Sequence, residues 1–302
     1  MASHVIPRRI QYIIQFIYDY NYPSKSEIIR FLEEKDFKVS ARTLERDIER
    51  IRSDYGLEIV YSKANSGYFI DKSKSVKVES FFKFLEIVTV ADILSESLKD
   101  SNKILDYVSF DDSKNFKGIA NLKEILIAIR QKRKLHFAHE NFWRDTLKKY
   151  EITPLLLKEY ENRWYVIGVP EEMDEIRTFG IDRITELSLG TLSNLKRSQF
   201  KSQLKNFDNI IGLDFNQGEP TNIRLLVDGI HIKYMRSLPL HHSQNIHTEN
   251  DKGEFFVDFF LIPNYEFTTQ ILKIGNEVEV IYPPELRDEI KNILTDSLKK
   301  YS

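Results

Sequence analysis

Apolar residues recur at Ile10, Ile13, Ile14 and Ile17, the three-and-four spacing of a helix that buries one face. Asn21-Tyr22-Pro23-Ser24 stops this helix and caps a second one over residues 25–37, whose apolar side holds Ile28, Ile29 and Leu32. Ser40 is the N-cap of a third helix carrying Leu44, Ile48 and Ile51. After Tyr55-Gly56 the pattern changes, and residues 57–61 and 68–70 predict two strands joined by a polar turn from Ser62 to Gly67. Three short helices and a hairpin predict a winged helix over residues 1–71.

Residues 78–98 predict one long helix with Phe81, Phe82, Leu85, Val88, Ile93 and Leu94. That stripe is too wide for an isolated connector, so a partner surface is expected on the next domain or a second subunit. Residues 72–117 are read as a helical linker, with turn-forming composition over 106–118. A helix over 122–132 then precedes strands at 135–139, 148–153, 154–160, 164–169 and 177–181. One helix and five short strands predict a small, strongly bent sheet or partly open barrel of SH3-like or Sm-like type over 118–190. Pro154 is expected at a strand start or edge. Beyond a helix at 198–207, strands at 221–227, 253–260 and 277–282 alternate with helices at 229–234, 265–273 and 284–298. Residues 191–302 thus read as a ferredoxin-like β-α-β-β-α-β plait, with proline in the first turn of its last helix. The fold class is α+β and multidomain.

The 302 residues allow two or three domains, and 41% hydrophobic with 30% charged residues fits an ordinary folded chain. A formal net charge of -2 excludes a uniformly basic nucleic-acid coat but permits a local basic patch. The absence of cysteine excludes disulfides, thiolate nucleophiles and Cys-based metal sites. No signal-peptide core or membrane-length apolar run is present, so a cytoplasmic protein without membrane contact is expected.

The candidate chemistry is recognition of phosphate. In a winged helix the third helix enters the DNA major groove and the hairpin touches phosphate. Here the exposed positions of that helix are Ser40, Arg42, Thr43, Arg46 and Arg50, and Lys63 lies in the hairpin turn. The other reading is that Arg42, Arg46 and Arg50 merely alternate with Glu45, Asp47 and Glu49 as a salt-bridged face. Further along, Arg177 and Arg183 flank Phe179 and Asp182, and arginine's planar fork suits a bidentate anion. Trp164, Tyr165 and Phe179 also suit the core of a small sheet. His241, His242 and His247 lie in a polar loop without acids at a ligand spacing, so neither metal nor cofactor is expected. No phosphate loop, nucleophile elbow or paired general acid and base is apparent, and no catalytic residue is assigned.

Ser40-Ala41-Arg42-Thr43-Leu44-Glu45-Arg46-Asp47-Ile48 resembles the recognition helix of bacterial regulators with the pattern Ser-x-Arg-Thr-(apolar)-x-Arg-Asp-(apolar). Pro154-Leu155, Arg163-Trp164-Tyr165-Val166-Ile167-Gly168 and Arg177-Thr178-Phe179-Gly180-Ile181-Asp182-Arg183-Ile184 together resemble a WYL domain. Val166 replaces the leucine of the triplet, and Gly180 stands where a larger or basic residue is usual. His139 occupies a common tyrosine position. Tyr150 sits where an arginine often precedes the proline, which leaves Lys148 or Lys149 as substitutes. Ile271-Leu272-Lys273-Ile274-Gly275 and the run from Glu277 to Arg287 resemble the extension that commonly follows WYL domains.

The resemblance implies a WYL-domain transcriptional regulator that is not an enzyme, binds duplex DNA as a homodimer, and senses single-stranded DNA or a nucleotide second messenger. It implies that Arg177 and Arg183 contact phosphate, that His136 and Tyr165 line the site, and that Phe179 and Asp182 shape it. Two alternatives stay open: a nucleic-acid-processing enzyme with its site in the central domain, and a central region that only dimerises.

Overall fold

The computed structural model describes residues 8–75, 78–100, 118–141, 146–171, 173–215 and 218–302, with mixed α and β structure in several sheets. The chain divides into two compact units, residues 1–111 and 112–302.

In the first unit, α1 (Arg8–Asp19), α2 (Lys25–Glu34) and α3 (Ala41–Tyr55) are followed by β1 (Ile59–Ser62), β2 (Gly67–Ile70) and α4 (Val78–Asp100). Ser24 and Glu27 form a reciprocal capping box on α2, Ser40 accepts from the Thr43 amide at 3.2 Å on α3, and Gly56 ends α3 in the left-handed region. These caps set the helix boundaries, and burial of Ile13, Ile14, Ile28, Leu32, Leu44 and Ile51 holds the helices together. β1 and β2 pair antiparallel from Ile59 opposite Ile70. A Cβ at Gly67 would overlap the Tyr22 carbonyl, so the hairpin turn lies directly on the α1–α2 connection.

Two findings differ from the sequence reading. The long helix α4 buries Val78, Phe81 and Leu85 in this unit's own core instead of saving its first turns for another domain. It leaves Phe84, Ile87 and Val90 half-exposed. Asp47 is buried, not part of an alternating surface face, because the Arg9 guanidinium reaches it. The expected turn at 106–118 lies outside the described residues up to Gly118.

The second unit opens with α5 (Leu122–Gln131), β3 (Arg133–Asn141), β4 (Thr146–Tyr160), β5 (Arg163–Pro170), β6 (Arg177–Gly180) and β7 (Ile184–Leu192). The sheet order is β6-β5-β4-β3-β7, with every described pairing antiparallel. The strands expected at 148–153 and 154–160 are one strand, β4, which passes through Pro154 with a register shift between Pro154 and Leu156. A bulge accommodates the missing amide, so proline interrupts the ladder without ending it. β7 lacks a clear apolar alternation, and its pairing along β3 supplies the strand that the sequence pattern does not announce.

Alternation gives this sheet two buried faces. Ile125 and Ala128 of α5 cover Leu135, Phe137, Ile152, Val166 and Phe179 on one side. Leu155, Ile167 and Val169 on the other side pack with Phe200, Phe207, Ile210 and Ile262. Gly168 is a packing glycine: a Cβ there would lie 2.7 Å from the Thr153 carbonyl oxygen and 3.2 Å from the Pro154 Cα.

The helix expected at 198–207 is a 3-10 turn, Arg197–Phe200, running into α6 (Lys201–Asn206). There follow β8 (Thr221–Asp228), α7 (His231–Ser237), β9 (Asn245–Glu249), β10 (Glu254–Leu261), α8 (Tyr265–Ile274), β11 (Val278–Tyr282) and α9 (Pro284–Lys299). Strand β9 is an addition to the sequence reading, and the sheet order is β11-β8-β10-β9 with antiparallel neighbours. Ile223, Leu225, Val227, Val257 and Phe259 turn toward the core shared with Phe267, Ile271, Leu286 and Ile290 of α8 and α9.

Candidate functional site

The first candidate surface lies on α3. Its N-terminal turn presents Ser40, Arg42 and Thr43 outward, and Arg46 and Arg50 follow on the exposed side. The charge partners separate these arginines. Arg50 donates to Asp54 at 3.1 Å, an i,i+4 pair, and Glu45 is taken by Lys25 of α2 at 2.5 Å. Arg42 and Arg46 have no ion-pair partner among the described residues. Lys63 is exposed in the hairpin turn, where Ser62 Oγ accepts from the Asn65 amide at 3.2 Å and stiffens the loop. The helix itself is held by Arg9 of α1, whose Nε and Nη2 donate to the two oxygens of Asp47 at 2.7 and 3.0 Å.

The second candidate surface is built where β5 begins and β6 ends, beside the 3-10 turn Ile181–Arg183. Asp182 stands between two guanidinium groups, 3.9 Å from Arg163 and 3.9 Å from Arg183. Both separations are ion pairs longer than a direct hydrogen bond. Tyr165 lies opposite Gly180 in the β5–β6 ladder, and burial holds its hydroxyl above the ordinary phenol range. It is a neutral donor beside a pair of cations.

Gly180 permits this arrangement. A Cβ there would meet Asp182 Oδ1 at 2.6 Å and Arg183 Nε at 2.9 Å, so both side chains fold back over a bare backbone. Behind them, Phe179 is buried in contact with Phe137 and Tyr150, with ring centroids 5.3 and 4.9 Å away. Phe179 therefore supports the site from within and offers no face to solvent.

His139 completes the group from β3. Its ring lies 5.4 Å from Phe179, edge-on, and one ring nitrogen donates to the Gly180 backbone. Its Nε2 is buried without a hydrogen-bond partner among the described residues. Burial, reinforced by the nearby Arg183, pushes its pKa down to about 4, so the ring is neutral at physiological pH.

The structure thus gathers Tyr165, Phe179, Asp182 and Arg183, and adds Arg163 and His139. Arg163 directly precedes Trp164-Tyr165 at the hairpin end, and His139 departs from the usual tyrosine; these were the available sequence signals. His136 and Arg177 do not join the group. His136 points away from the Leu135–Phe137 core side toward Glu151, 3.8 Å away, in a network where Lys134 Nζ lies 3.0 Å from Glu151 and 2.6 Å from Glu171. Arg177 is exposed opposite Gly168, at the far end of β6 from Gly180.

Among the described residues, no group of three or more His, Asp or Glu side chains is placed to hold a metal ion, and no helix is long and apolar enough to cross a membrane. His241 and His242 both donate through Nε2 to the Asp208 carbonyl, at 2.9 and 2.7 Å, and His247 contacts Asp258.

The WYL domain family model matches residues 120–189, and the WCX domain family model matches residues 219–298. The chain therefore carries a WYL domain followed by a WCX domain. No curated protein matches it. Among solved structures, it is similar to proteasome accessory factor B/C (PafBC) of Arthrobacter aurescens, with 16% identity, 98% of this chain and 54% of that one covered, and a TM-score of 0.28. It is also similar to a CRISPR Cas-related protein, with 15% identity, 97% and 83% covered, and a TM-score of 0.42. The chain spans only 54% of the PafBC chain's length.

Proposed function

We propose that this WYL- and WCX-domain protein is a transcriptional regulator: its first unit reads duplex DNA, and its WYL domain senses a nucleic-acid or nucleotide ligand. Three helices followed by an antiparallel hairpin support reading the first unit as a winged helix. The five-stranded antiparallel sheet under α5 supports an SH3-like or Sm-like reading, and the plait's strand order a ferredoxin-like one.

The observation that carries the proposal is the state of the α3 arginines. Arg42 and Arg46 stand exposed and without an ion-pair partner among the described residues, on the helix that a winged helix inserts into the major groove. A cation without a partner keeps its full attraction for phosphate or a guanine edge. In the WYL domain Asp182 lies 3.9 Å from both Arg163 and Arg183, and an oxyanion bound beside Tyr165 would meet the same two guanidinium groups.

On this reading the chain works as a homodimer in the cytoplasm, with Phe84, Ile87 and Val90 of α4 as the apolar contact, and it catalyses no reaction. The effector acts by binding one arrangement of the two units better than another.

The test is selection of duplexes from a random pool, followed by titration with labelled single-stranded oligonucleotide of the wild-type and Arg183→Ala proteins. An enriched sequence, and oligonucleotide affinity reduced at least about ten-fold by Arg183→Ala, are expected. No enrichment defeats the duplex-reading part. Unchanged oligonucleotide affinity favours a WYL region that only dimerises, and turnover of the oligonucleotide with divalent metal favours an enzyme.

A further inference from the structure

The WCX plait has a second sheet face, and its residues are not those of a core. Opposite the buried side of β8 and β10, the side chains of Arg224, Phe256, Asp258 and Phe260 stand on the open side, with Tyr282 of β11 across from Arg224. Phe260 is 52% exposed and Tyr282 50% exposed. Phe256 and Phe260 are four residues apart on one strand, about 13 Å at the usual rise.

Between the rings lies a polar lattice. Arg224 Nε and Nη2 fork onto the two oxygens of Asp258, both at 2.7 Å, and His247 Nε2 meets Asp258 Oδ2 at 2.7 Å. The forked guanidinium lies over the Phe256 ring, 5.6 Å from its centre, as a cation–π contact. Asp258 is thus matched by Arg224 and His247, and Glu279 is matched by Arg287 at 2.6 Å. Glu254, on the same side of β10, and Asp228 opposite it add two acids at the far end of this face from Phe260.

The sequence of that strand adds an independent observation. A four-stranded sheet with helices on one face binds single-stranded RNA through a pattern of Lys/Arg-Gly-aromatic-small-Phe-Val-x-aromatic. Lys252-Gly253-Glu254-Phe255-Phe256-Val257-Asp258-Phe259 agrees at the Lys, Gly, Phe256, Val and Phe259 positions and departs at Glu254 and Phe255. β10, which holds the pattern, is the third strand of the plait in chain order and pairs on both sides. The agreement places an aromatic on the open face at Phe256.

We propose that the open face of the β11-β8-β10-β9 sheet is a stacking platform for single-stranded nucleic acid, with Phe256 and Phe260 under bases and Arg224 and Asp258 at a base edge between them. A stacked base presents an apolar face to a ring and hydrogen-bonding groups at its edge, which is the alternation this surface offers. A second copy's apolar surface would instead cover the Arg224–Asp258–His247 group without supplying partners.

The platform is separate from the Asp182 group, so the test is run in the full-length Arg183→Ala protein as well as in the wild type. Labelled oligo-dT and oligo-U are titrated against Phe260→Ala, Phe260→Trp and Phe256→Ala. Phe260→Ala should weaken binding at least about five-fold in both backgrounds, the loss of one stacked base, and Phe260→Trp should retain it. Because Phe260 is half-exposed, its variants should fold as the wild type does. Tighter binding of oligo-U supports an RNA ligand, and tighter binding of oligo-dT supports a DNA ligand. Wild-type affinity in both alanine variants, or no oligonucleotide binding in the Arg183→Ala protein with Phe260 intact, overturns the platform.

Discussion

Arg9 and Asp47, thirty-eight residues apart, are joined by two hydrogen bonds that fix the first helix of the N-terminal unit to the helix carrying Arg42 and Arg46. Asp47 is 6% exposed, and burying its carboxylate is tolerated because Arg9 supplies both charge and donors. Arg9→Met leaves that carboxylate without its partner. We expect a loss of about 1–3 kcal/mol in stability by urea denaturation of the N-terminal unit. Duplex affinity should fall with it, because α3 loses its tie to α1. A change below about 0.5 kcal/mol would make the fork a surface ornament.

The α3 arginines should not be equivalent. Arg42→Ala and Arg46→Ala should each weaken duplex binding and lower the salt slope by about one, as expected for loss of a phosphate contact. Arg50→Ala should have a smaller effect, because Arg50 already shares its charge with Asp54 at 3.1 Å. Fluorescence anisotropy at several salt concentrations separates the three; equal losses would contradict the pairing argument.

Gly180 separates stability from ligand binding. Its φ of -64° is open to any residue, so Gly180→Ala strains no backbone, and the added Cβ displaces only the flexible ends of Asp182 and Arg183. The melting temperature should change little, while oligonucleotide affinity changes measurably. Gly168→Ala is the contrast: its Cβ meets the Thr153 carbonyl and the Pro154 backbone, which cannot swing away. We expect a cost of about 1–3 kcal/mol in denaturation experiments.

His139 should shape the acid side of the stability profile. Its folded pKa of about 4 lies below the ordinary 6.5, so the unfolded chain takes up the proton first as pH falls. The contribution to stability is complete above about pH 6.5 and is lost between there and about pH 4. His241, depressed to about 4 chiefly by burial and the neighbouring His242, adds a loss of the same sign. In His139→Phe the decline over that window should be shallower, read from melting temperatures at half-unit pH steps; an unchanged slope would mean that this ring does not titrate on unfolding.

Asn264 is the buried anchor of the WCX domain. Its side-chain nitrogen donates to the Ile211 and Asp214 carbonyls at 2.7 and 2.8 Å, and its oxygen accepts from the Phe267 amide at 2.9 Å as the cap of α8. Asn264→Asp keeps the cap but cannot donate to the carbonyls, and Asn264→Ala loses all three contacts. Both should destabilise by about 2–4 kcal/mol in thermal or urea unfolding. A mild effect of Asn264→Asp would show that the cap alone matters.

Several features were legible in the chain because they depend on local chemistry. Ser24 and Ser40 announce helix starts, Gly56 a helix end, and the isoleucines of α1 a buried face, each through neighbours within a turn or two. The Arg163-to-Gly168 and Arg177-to-Ile184 runs likewise marked the region that the WYL family model matches.

What only the tertiary structure decided concerns partners far apart in sequence. Pro154 reads as a break until the bulge in β4 carries the strand past it, and β7 and β9 need their neighbours' edges to become strands. Asp47 reads as a surface acid until Arg9 arrives from α1. His136 and Arg177 share the composition of the candidate site, yet His136 turns to Glu151 and Arg177 lies at the other end of β6, while His139 and Arg163 come in beside Asp182. The physical reason is that caps and periodicity are written within a few residues, whereas the side of a strand on which a charge emerges depends on a register set by the whole sheet.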